Sequence, residues 1–179
     1  MRVITGTAKG MRLRALDGDA VRPTYDRVKE ALFSIIQFEI EDRRVLDLFS
    51  GSGQLGIEAL SRGAREAVFV DSSKDSVAVT KENLEKTRLY DRARILQTDA
   101  LSYIKNYRGE PFDVVLLDPP YHEGLLGKVL PFAARCTSPG GVIVCEAQWD
   151  FDFPDAAEDF ALESVHKYSK TVLAVYRHK

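Results

Sequence analysis

The chain has 179 residues, of which 45% are hydrophobic and 29% are charged, and its formal net charge is −2 at pH 7. We expect one domain over residues 1–179, because a chain of this size buries a sizeable core without disulfides or metal ions. No apolar run approaches the ~20 residues of a membrane span, and the amino terminus lacks the apolar segment of a signal peptide, so we expect a cytoplasmic protein.

The cysteines and histidines do not indicate a metal site. Cys136, Cys145 and three scattered histidines show no zinc-ligand spacing. We expect both cysteines to be buried free thiols, with Cys145 in a strand and Cys136 on a helix or at its end.

Basic residues are concentrated near the amino terminus. Residues 1–29 hold seven basic and three acidic side chains, a net charge of +4, whereas the remainder holds 18 and 24, a net charge of −6. A basic end on an acidic domain suits contacts with phosphates, although ordinary surface charge explains the composition equally well. The candidate contacts are Arg2, Lys9, Arg12, Arg14 and Arg22.

The amino-terminal segment predicts a small hairpin and then a helix. Short apolar alternation over residues 3–16 is interrupted by Gly6 and Gly10, which is typical of a hairpin. Thr24 is a suitable N-cap for the helix that follows, and apolar residues in that helix repeat at helical spacing. We therefore divide the domain into a basic hairpin extension, 1–21, and a core, 22–179.

From residue 44 onward, apolar strands alternate with helices. The predicted strands are 45–49, 67–70, 93–96, 113–117 and 142–145, and the helices between them are 54–62, 74–87, 101–107 and about 125–133. Strands this apolar predict a parallel sheet that is covered on both faces.

The carboxyl-terminal part has a different pattern. Two strand-like runs, 162–167 and 171–176, are too close together for parallel pairing. We therefore predict an α/β fold with a doubly wound, mostly parallel sheet, an antiparallel carboxyl-terminal hairpin and a small amino-terminal hairpin extension. The acidic and aromatic stretch 148–159 remains unplaced, and we favour a role in holding the edge of the sheet over a substrate contact.

A glycine-rich loop follows the first strand of the core. Ser50, Gly51 and Gly53 lie where a tight turn would let the backbone approach a ligand, and the next helix offers free N–H groups. Asp71 lies 20 residues after Gly51, at the end of the second strand, where a carboxylate can accept hydrogen bonds from ribose hydroxyls. The context of strand, helix and acid favours a nucleoside cofactor over a purely structural turn.

Two further acids indicate which cofactor binds. Asp47 precedes the glycine loop, where it would repel a pyrophosphate but would suit the ammonium group of an amino acid, and Asp99 after the third strand could accept from an adenine amino group. This pattern favours S-adenosylmethionine over a nicotinamide dinucleotide. The structural alternatives are that Asp47 braces the loop and that Asp71 and Asp99 cap helices.

The tetrapeptide Asp118-Pro119-Pro120-Tyr121 directly follows the fourth strand. Two prolines stop the sheet and delay the next helix, so the Asp118 carboxylate and the Pro119 carbonyl can both face a cleft as acceptors. An exocyclic amino group of a base could donate to both, which would leave its nitrogen lone pair available to attack a sulfonium methyl group. Tyr121 could stack on the base, which would have to be flipped out or unpaired.

These motifs together resemble a known family. The segment 22–33 (RPTYDRVKEALF), the segment 45–53 (VLDLFSGSG) and the segment 117–121 (LDPPY) are similar to those of the bacterial RsmD family, along nearly the whole chain. The resemblance implies a class I, Rossmann-like methyltransferase that uses S-adenosylmethionine to methylate a guanine N2 in small-subunit (16S) ribosomal RNA. It also implies a monomer that acts on this RNA or on an assembling 30S particle.

The resemblance assigns roles to individual residues. It implies that the catalytic residues are Asp118, Pro119, Pro120 and Tyr121, and that the cofactor-binding residues are Asp47, Ser50, Gly51, Gly53, Asp71, Asp99, Thr24 and Arg27. Arg22, Thr24 and Arg27 match the family's helix start, where they could close the cofactor site, guide the substrate or serve only as a cap and surface charges. Ser34 and Ser50 stand where the family is expected to have Asn and Ala, and Asp71 where it often has Glu.

Three alternatives stay open from the sequence. The same amino-group chemistry would suit adenine N6 in DNA or RNA, or a glutamine amide in a protein, although no separate DNA-recognition domain is visible. The literal G-x-G-x-x-G spacing would also suit a dinucleotide-dependent oxidoreductase. A non-catalytic RNA-binding protein is the last alternative, and the intact Asp118-Pro119-Pro120-Tyr121 disfavours it.

Overall fold

Eight strands form one sheet in the computed structural model, which describes residues 1–16, 23–120 and 124–179. The order across the sheet is β3-β2-β1-β4-β5-β8-β7-β6. The strands are β1 (Arg44–Asp47), β2 (Glu66–Asp71), β3 (Ala93–Gln97), β4 (Phe112–Leu117), β5 (Thr137–Gln148), β6 (Ala156–Ala157), β7 (Phe160–Tyr168) and β8 (Thr171–His178). The pairs among β1 to β5 are parallel and those among β5 to β8 are antiparallel, which confirms the predicted fold class.

Within the described residues, five α-helices connect or flank these strands. They are α1 (Pro23–Ile35), α2 (Gln54–Ser61), α3 (Lys74–Thr87), α4 (Ala100–Asn106) and α5 (Leu125–Cys136), and a short 3-10 helix spans Tyr90–Arg92. Ser73 caps α3 by accepting from the Ser76 N–H at 3.3 Å, as its position predicts. None of the helices in the described ranges is long and apolar enough to cross a membrane.

The sheet is covered on both faces, and each face has its own apolar cluster. Helices α1, α2 and α3 pack on the first face with the buried side chains of Val45, Leu116 and Val144, and we call this face A. Helices α4 and α5 pack on the other face with Leu117 and Cys145, and we call this face B. Strand residues alternate between the two faces, so a residue's neighbours along the strand identify the face it points to.

The chain reverses direction across the sheet between β1 and β4. From β1 it adds β2 and β3 on one side, and it then returns to add β4 on the other side. Parallel sheets bind ligands in the crevice outside the carboxyl ends of the strands at such a switch point. The glycine loop after β1 and the Asp-Pro-Pro segment after β4 therefore flank this crevice.

The structure corrects two expectations about local structure. Helix α1 begins at Pro23, so Thr24 lies inside the helix and is not its N-cap; a proline suits the first helical position because its missing N–H would have no partner there. Strand β5 runs from residue 137 to 148, longer than predicted, because its pairing with β8 continues beyond the parallel part of the sheet. Part of the unplaced stretch 148–159 forms the two-residue strand β6.

The amino-terminal extension is a hairpin, as predicted, and it is anchored to α2. Val3 N–H donates to the Met11 carbonyl at 2.9 Å, and Arg2 pairs with Arg12 in an antiparallel bridge. The buried Glu58 of α2 accepts from the N–H groups of Ile4 and Thr5 at 2.8 and 3.0 Å. A buried side chain thus satisfies backbone donors that would otherwise lack partners.

Two cations share this buried acid. Lys29 lies 3.8 Å from Glu58 and donates to the Arg2 carbonyl at 2.6 Å, and Arg62 donates to Glu58 at 2.8 Å. Burial lowers the pKa of Lys29, and Glu58 partly opposes that shift. Lys29 therefore belongs to the anchor of the hairpin and not to the basic surface that the amino-terminal charge predicted.

Replacing Gly6 by alanine is expected to detach the tip of this hairpin. Gly6 has φ +86°, and a Cβ added there would lie 1.8 Å from the Ser61 carbonyl oxygen of α2. The positive φ alone costs about 1–3 kcal/mol for a residue with a side chain, and the clash adds to it. Urea unfolding should show a lower free energy of unfolding.

Gly10→Ala is the matched control, because Gly10 has φ +82° and nothing lies within 4 Å of its added Cβ. Gly10→Ala should be the milder of the two variants. Equal losses of stability would contradict the proposed contact with α2.

Candidate active site

The glycine loop connects β1 to α2 through two residues in the left-handed region. Gly51 has φ +53° and Gly53 has φ +79°, conformations that favour glycine. The Gly53 N–H donates to the Ser50 carbonyl at 2.7 Å, and the Ser50 N–H donates to the Val70 carbonyl of β2 at 3.0 Å. The loop is therefore a tight turn that is fastened to the neighbouring strand.

Two polar side chains of α3 hold the loop from the side of the helix. Thr80 donates to the Gly51 carbonyl at 2.9 Å, and Asn83 donates to the Ser52 carbonyl at 2.9 Å. Asn83 also exchanges hydrogen bonds with the backbone of Arg14, at 2.7 and 3.0 Å, so it joins the loop to the amino-terminal extension. The sequence analysis missed both residues, although two polar residues three positions apart share one helix face and could have been noticed.

Asp47 and Asp71 brace the loop through backbone donors. One oxygen of Asp47 accepts from the Gly56 N–H in the first turns of α2 at 2.9 Å. Asp71 accepts from the Gly51 N–H at 2.9 Å with one oxygen and from the Ser73 N–H at 2.9 Å with the other. The structural role considered for Asp47 is therefore present, and each acid lies where the sequence predicted, at the carboxyl end of its strand.

Asp47 is fully buried, which is unusual for a carboxylate. Burial raises its pKa to about 7, the Gly56 N–H partly offsets that effect, and the nearby Asp71 adds to it. Among the described residues, no salt bridge pairs Asp47 with a cationic side chain. A positively charged ligand group would therefore relieve the cost of keeping this carboxylate ionised.

Two other polar atoms of the loop region are buried without a hydrogen-bond partner in the part of the chain that the structure describes. They are the Ser50 hydroxyl oxygen and the Gln54 side-chain carbonyl oxygen. Buried polar atoms normally have partners, so these two oxygens are suited to a ligand with donor groups. An ammonium group is one chemical group that could donate to such oxygens. Gln54 was not among the predicted site residues.

The Asp-Pro-Pro segment lies across the crevice from this loop. Asp118 follows the last residue of β4 and is half-buried, Pro119 is buried and Pro120 is exposed. In the sheet register Asp47 of β1 pairs with Leu116 of β4. Because Leu116 points to face A, the alternation along the strand places both Asp47 and Asp118 on that same face. Tyr121, the fourth member of the predicted tetrapeptide, lies outside the described residues.

A cavity of about 250 Å³ opens beside the two prolines. Its lining residues come from the Asp-Pro-Pro segment, the start of α5, the end of β5 and the loop that follows: Pro119, Pro120, Leu125, Leu126, Glu146, Gln148 and Phe151 are among them. The cavity is small compared with drug-binding pockets, which span about 300–1,000 Å³. It thus has room for one flat group beside Pro119 and Pro120.

For the remaining predicted cofactor residues, the structure describes no contact with the glycine loop. Asp99 caps α4 by accepting from the Ser102 N–H at 2.7 Å, and this hydrogen bond lowers the pKa of its carboxyl group. Arg27 is exposed on α1, and no described hydrogen bond or ion pair joins it to the glycine loop. The side chain of Thr24 lies outside the described residues. A contact of these residues with the cofactor stays a prediction.

The described basic residues of the extension are exposed, but they do not all lie at one end of the hairpin. Arg2, Arg12 and Arg14 lie at the open end of the hairpin, which adjoins the glycine loop: Met1 contacts Ser52 there at 3.3 Å. Lys9 lies near the tip. Arg14 pairs with Glu82 at 2.6 Å, and both side chains are more than half exposed. Arg22 lies outside the described residues. RNA contact by this set stays a prediction.

The two cysteines are buried free thiols, as predicted. Burial raises the pKa of both, and Cys145 lies within β5 while Cys136 ends α5. Within the described ranges, no group of three or more His, Cys, Asp or Glu side chains could hold a metal ion.

Comparisons with known proteins cover the chain almost completely. A family model described as "Conserved hypothetical protein 95" matches residues 1–177. YlbH of Bacillus subtilis (strain 168) is 36% identical over 183 residues, which cover 100% of both chains. The "Ribosomal RNA small subunit methyltransferase D" of Haemophilus influenzae (strain Rd) is 35% identical over 151 residues, 83% of this chain and 72% of that one.

The fold is also similar to a solved structure. The Escherichia coli protein yhhF superposes with a TM-score of 0.89 at 29% identity, and the match covers 100% of this chain and 98% of that one. The fold of this chain thus also occurs in a protein of solved structure.

Proposed function

Because this chain belongs to the RsmD family, we propose that it is an S-adenosylmethionine-dependent methyltransferase that modifies the exocyclic N2 of one guanine in small-subunit ribosomal RNA. The observation that carries the proposal is the pair of segments across the crevice. A buried loop with unpartnered polar atoms suits the cofactor, and an Asp-Pro-Pro segment on the neighbouring strand suits an amino group.

The loop residues fit the cofactor group by group. Asp47, Ser50 and Gln54 would hold the ammonium of the methionine part, Asp71 would accept from the ribose hydroxyls and Asp99 from the adenine amino group. Gly51 and Gly53 keep side chains away from the cofactor where the backbone turns. When bound, S-adenosylmethionine supplies an electrophilic methyl group on a sulfonium.

The Asp-Pro-Pro segment positions the nucleophile. The Asp118 carboxylate and the Pro119 carbonyl accept the two N–H groups of the guanine amino group, which favours a pyramidal nitrogen with its lone pair towards the methyl group. The amino nitrogen would take the methyl group, the sulfonium would leave as a neutral thioether, and the Asp118 carboxylate would accept the proton that the nitrogen then loses. This is catalysis by positioning and electrostatics, with no covalent intermediate on the protein. Tyr121 stacks on the flipped base.

The basic extension supports RNA as the substrate. Three arginines lie at the hairpin end that adjoins the glycine loop, where they can contact phosphates beside a base that enters the crevice. Lys9 lies at the far end of the hairpin and should contribute less. The substrate would be naked ribosomal RNA or an assembling 30S particle, so we expect the reaction to take place in the cytoplasm. We also expect the protein to act as a monomer.

Methylation of unmodified RNA tests the proposal directly. The protein is incubated with labelled S-adenosylmethionine and small-subunit RNA or particles from cells that lack this enzyme. N2-methylguanine should appear at one nucleotide, which mapping by mass spectrometry identifies. Protein that binds the cofactor but produces no N2-methylguanine would overturn the proposal. N6-methyladenine or a methylated glutamine would instead move the same chemistry to another amino group.

A further inference from the structure

The cavity beside Pro119 and Pro120 contains one acid that the proposed chemistry does not use. Glu146 lies on β5, is 6% exposed and lines the cavity. The other carboxylates of the lining, Asp150 and Asp152, are exposed. A carboxylate that is kept almost out of water interacts more strongly with a ligand than an exposed one does.

The sheet register places Glu146 next to Asp118. Strands β4 and β5 are parallel, and Leu117 pairs with Cys145, so the next residues along the two strands are Asp118 and Glu146. Leu117 and Cys145 both point to face B. Continued for one more residue, the alternation turns Asp118 and Glu146 to the same side of the sheet, on neighbouring strands whose backbones are about 4.8 Å apart.

Two adjacent acceptors match the edge of one base better than another. Guanine presents its N2 amino group and its ring N1–H side by side, so two neighbouring donors face outward. Adenine presents its N6 amino group beside N1, which carries no hydrogen and is an acceptor. A carboxylate opposite N1 is thus attracted by guanine and repelled by adenine, and mismatched buried hydrogen-bonding groups discriminate strongly.

We propose, on the premise of the function given above, that Glu146 selects guanine by accepting a hydrogen bond from N1–H while Asp118 holds the N2 amino group. Glu146 is then a specificity-determining residue, and the cavity is the pocket of the flipped base. Phe151 also lines the cavity. It packs on the core of face B, and its ring centroid lies 4.8 Å from that of Phe153, so it is held in place to contact the base.

The test compares guanine with 2-aminopurine, which keeps the N2 amino group but has an acceptor at N1. Particles are reconstituted around small-subunit RNA that carries either base at the mapped nucleotide. The wild-type protein should methylate 2-aminopurine at least about tenfold less efficiently than guanine, as expected for the loss of one specific hydrogen bond. If the wild-type protein methylates both bases with equal efficiency, the proposed hydrogen bond from guanine N1–H to Glu146 is contradicted, regardless of the results for the variants.

Glu146→Gln provides the second arm. Its amide can donate to the N1 of 2-aminopurine, so the guanine to 2-aminopurine ratio of kcat/KM should fall towards one, mainly through loss of activity on guanine. Glu41→Gln removes an exposed carboxylate before β1, at the other end of the sheet, and should leave both values unchanged. Thermal unfolding and calorimetric titration with S-adenosylmethionine check that Glu146→Gln folds and binds the cofactor.

The outcomes separate this inference from the proposed function. If the wild-type protein produces no N2-methylguanine, the proposed function fails. If it produces N2-methylguanine but Glu146→Gln keeps the wild-type ratio between the two bases, only the role of Glu146 fails. A purely structural role would lower both activities together and leave that ratio unchanged.

Discussion

Replacing Asp118 by alanine is expected to reduce methyl transfer by about a hundredfold or more, while the affinity for S-adenosylmethionine stays near that of the wild type. Asp118 follows β4 and lies on the same face of the sheet as Asp47, one strand away, but it is not part of the glycine loop. The change removes an acceptor that acts on the reacting amino group, and removal of one such preorganised group typically costs about 10²–10³ in kcat.

Asp118→Asn is the matched variant. Its side chain keeps an oxygen acceptor of nearly the same size and removes the negative charge, so we expect a smaller loss than for Asp118→Ala. Single-turnover kinetics with saturating cofactor measure the chemical step, and calorimetric titration measures cofactor binding separately. Parallel loss of transfer and of cofactor binding in Asp118→Ala would contradict the role of Asp118 as an acceptor for the substrate.

Replacing Asp47 by asparagine is expected to stabilise the cofactor-free protein near neutral pH and to weaken cofactor binding. Burial raises the pKa of Asp47 to about 7 from an ordinary value of 3.8. Asparagine keeps an oxygen that can accept from the Gly56 N–H, and it removes the charge that burial disfavours.

The sign of the pH dependence follows from the raised pKa. Between about pH 4 and pH 7 the native protein holds a proton on Asp47 that the unfolded chain has lost. This group's contribution to stability is therefore fully present below about pH 4, declines as the pH rises through that range, and is lost above about pH 7. The rise in the pKa of Asp47 from 3.8 to about 7 corresponds to a change of about 4 kcal/mol in the free energy of unfolding.

Urea unfolding at several pH values measures this effect. The wild-type free energy of unfolding should fall more steeply between pH 4 and pH 7 than that of Asp47→Asn, and the variant should be the more stable protein at pH 8. Asp159→Asn, which removes an exposed carboxylate before β7, should follow the wild-type curve. Identical curves for the wild type and Asp47→Asn would show that Asp47 is not the group responsible.

Cofactor binding should have the opposite pH dependence to protein stability. If the ionised Asp47 pairs with the ammonium group, wild-type affinity for S-adenosylmethionine should increase as the pH rises from 5.5 to 7.5, whereas Asp47→Asn should bind weakly and with less dependence on pH. The buried acid would then lower stability in the free protein and increase affinity in the complex, a common trade-off at functional sites. Calorimetric titration at the two pH values distinguishes this from a purely structural Asp47.

The sequence by itself determined the class of fold and predicted where along the chain the candidate site lies. Apolar strands that alternate with helices require a parallel sheet, and a link of a few residues between the last two strands requires an antiparallel edge. The glycine loop and Asp118-Pro119-Pro120-Tyr121 are local signals, since glycine and proline restrict or free the backbone wherever they stand. These signals can be recognised without knowing which distant residues are in contact.

Only the tertiary structure decided which polar residues cooperate. Asn83 joins the glycine loop to the amino-terminal extension across 69 positions of sequence, and Glu58 binds the backbone of a hairpin more than 50 positions away. Glu146 becomes a candidate for base selection only because strand register sets it beside Asp118. Neighbours of this kind depend on strand order and register, which are settled by contacts between segments that are far apart in the sequence.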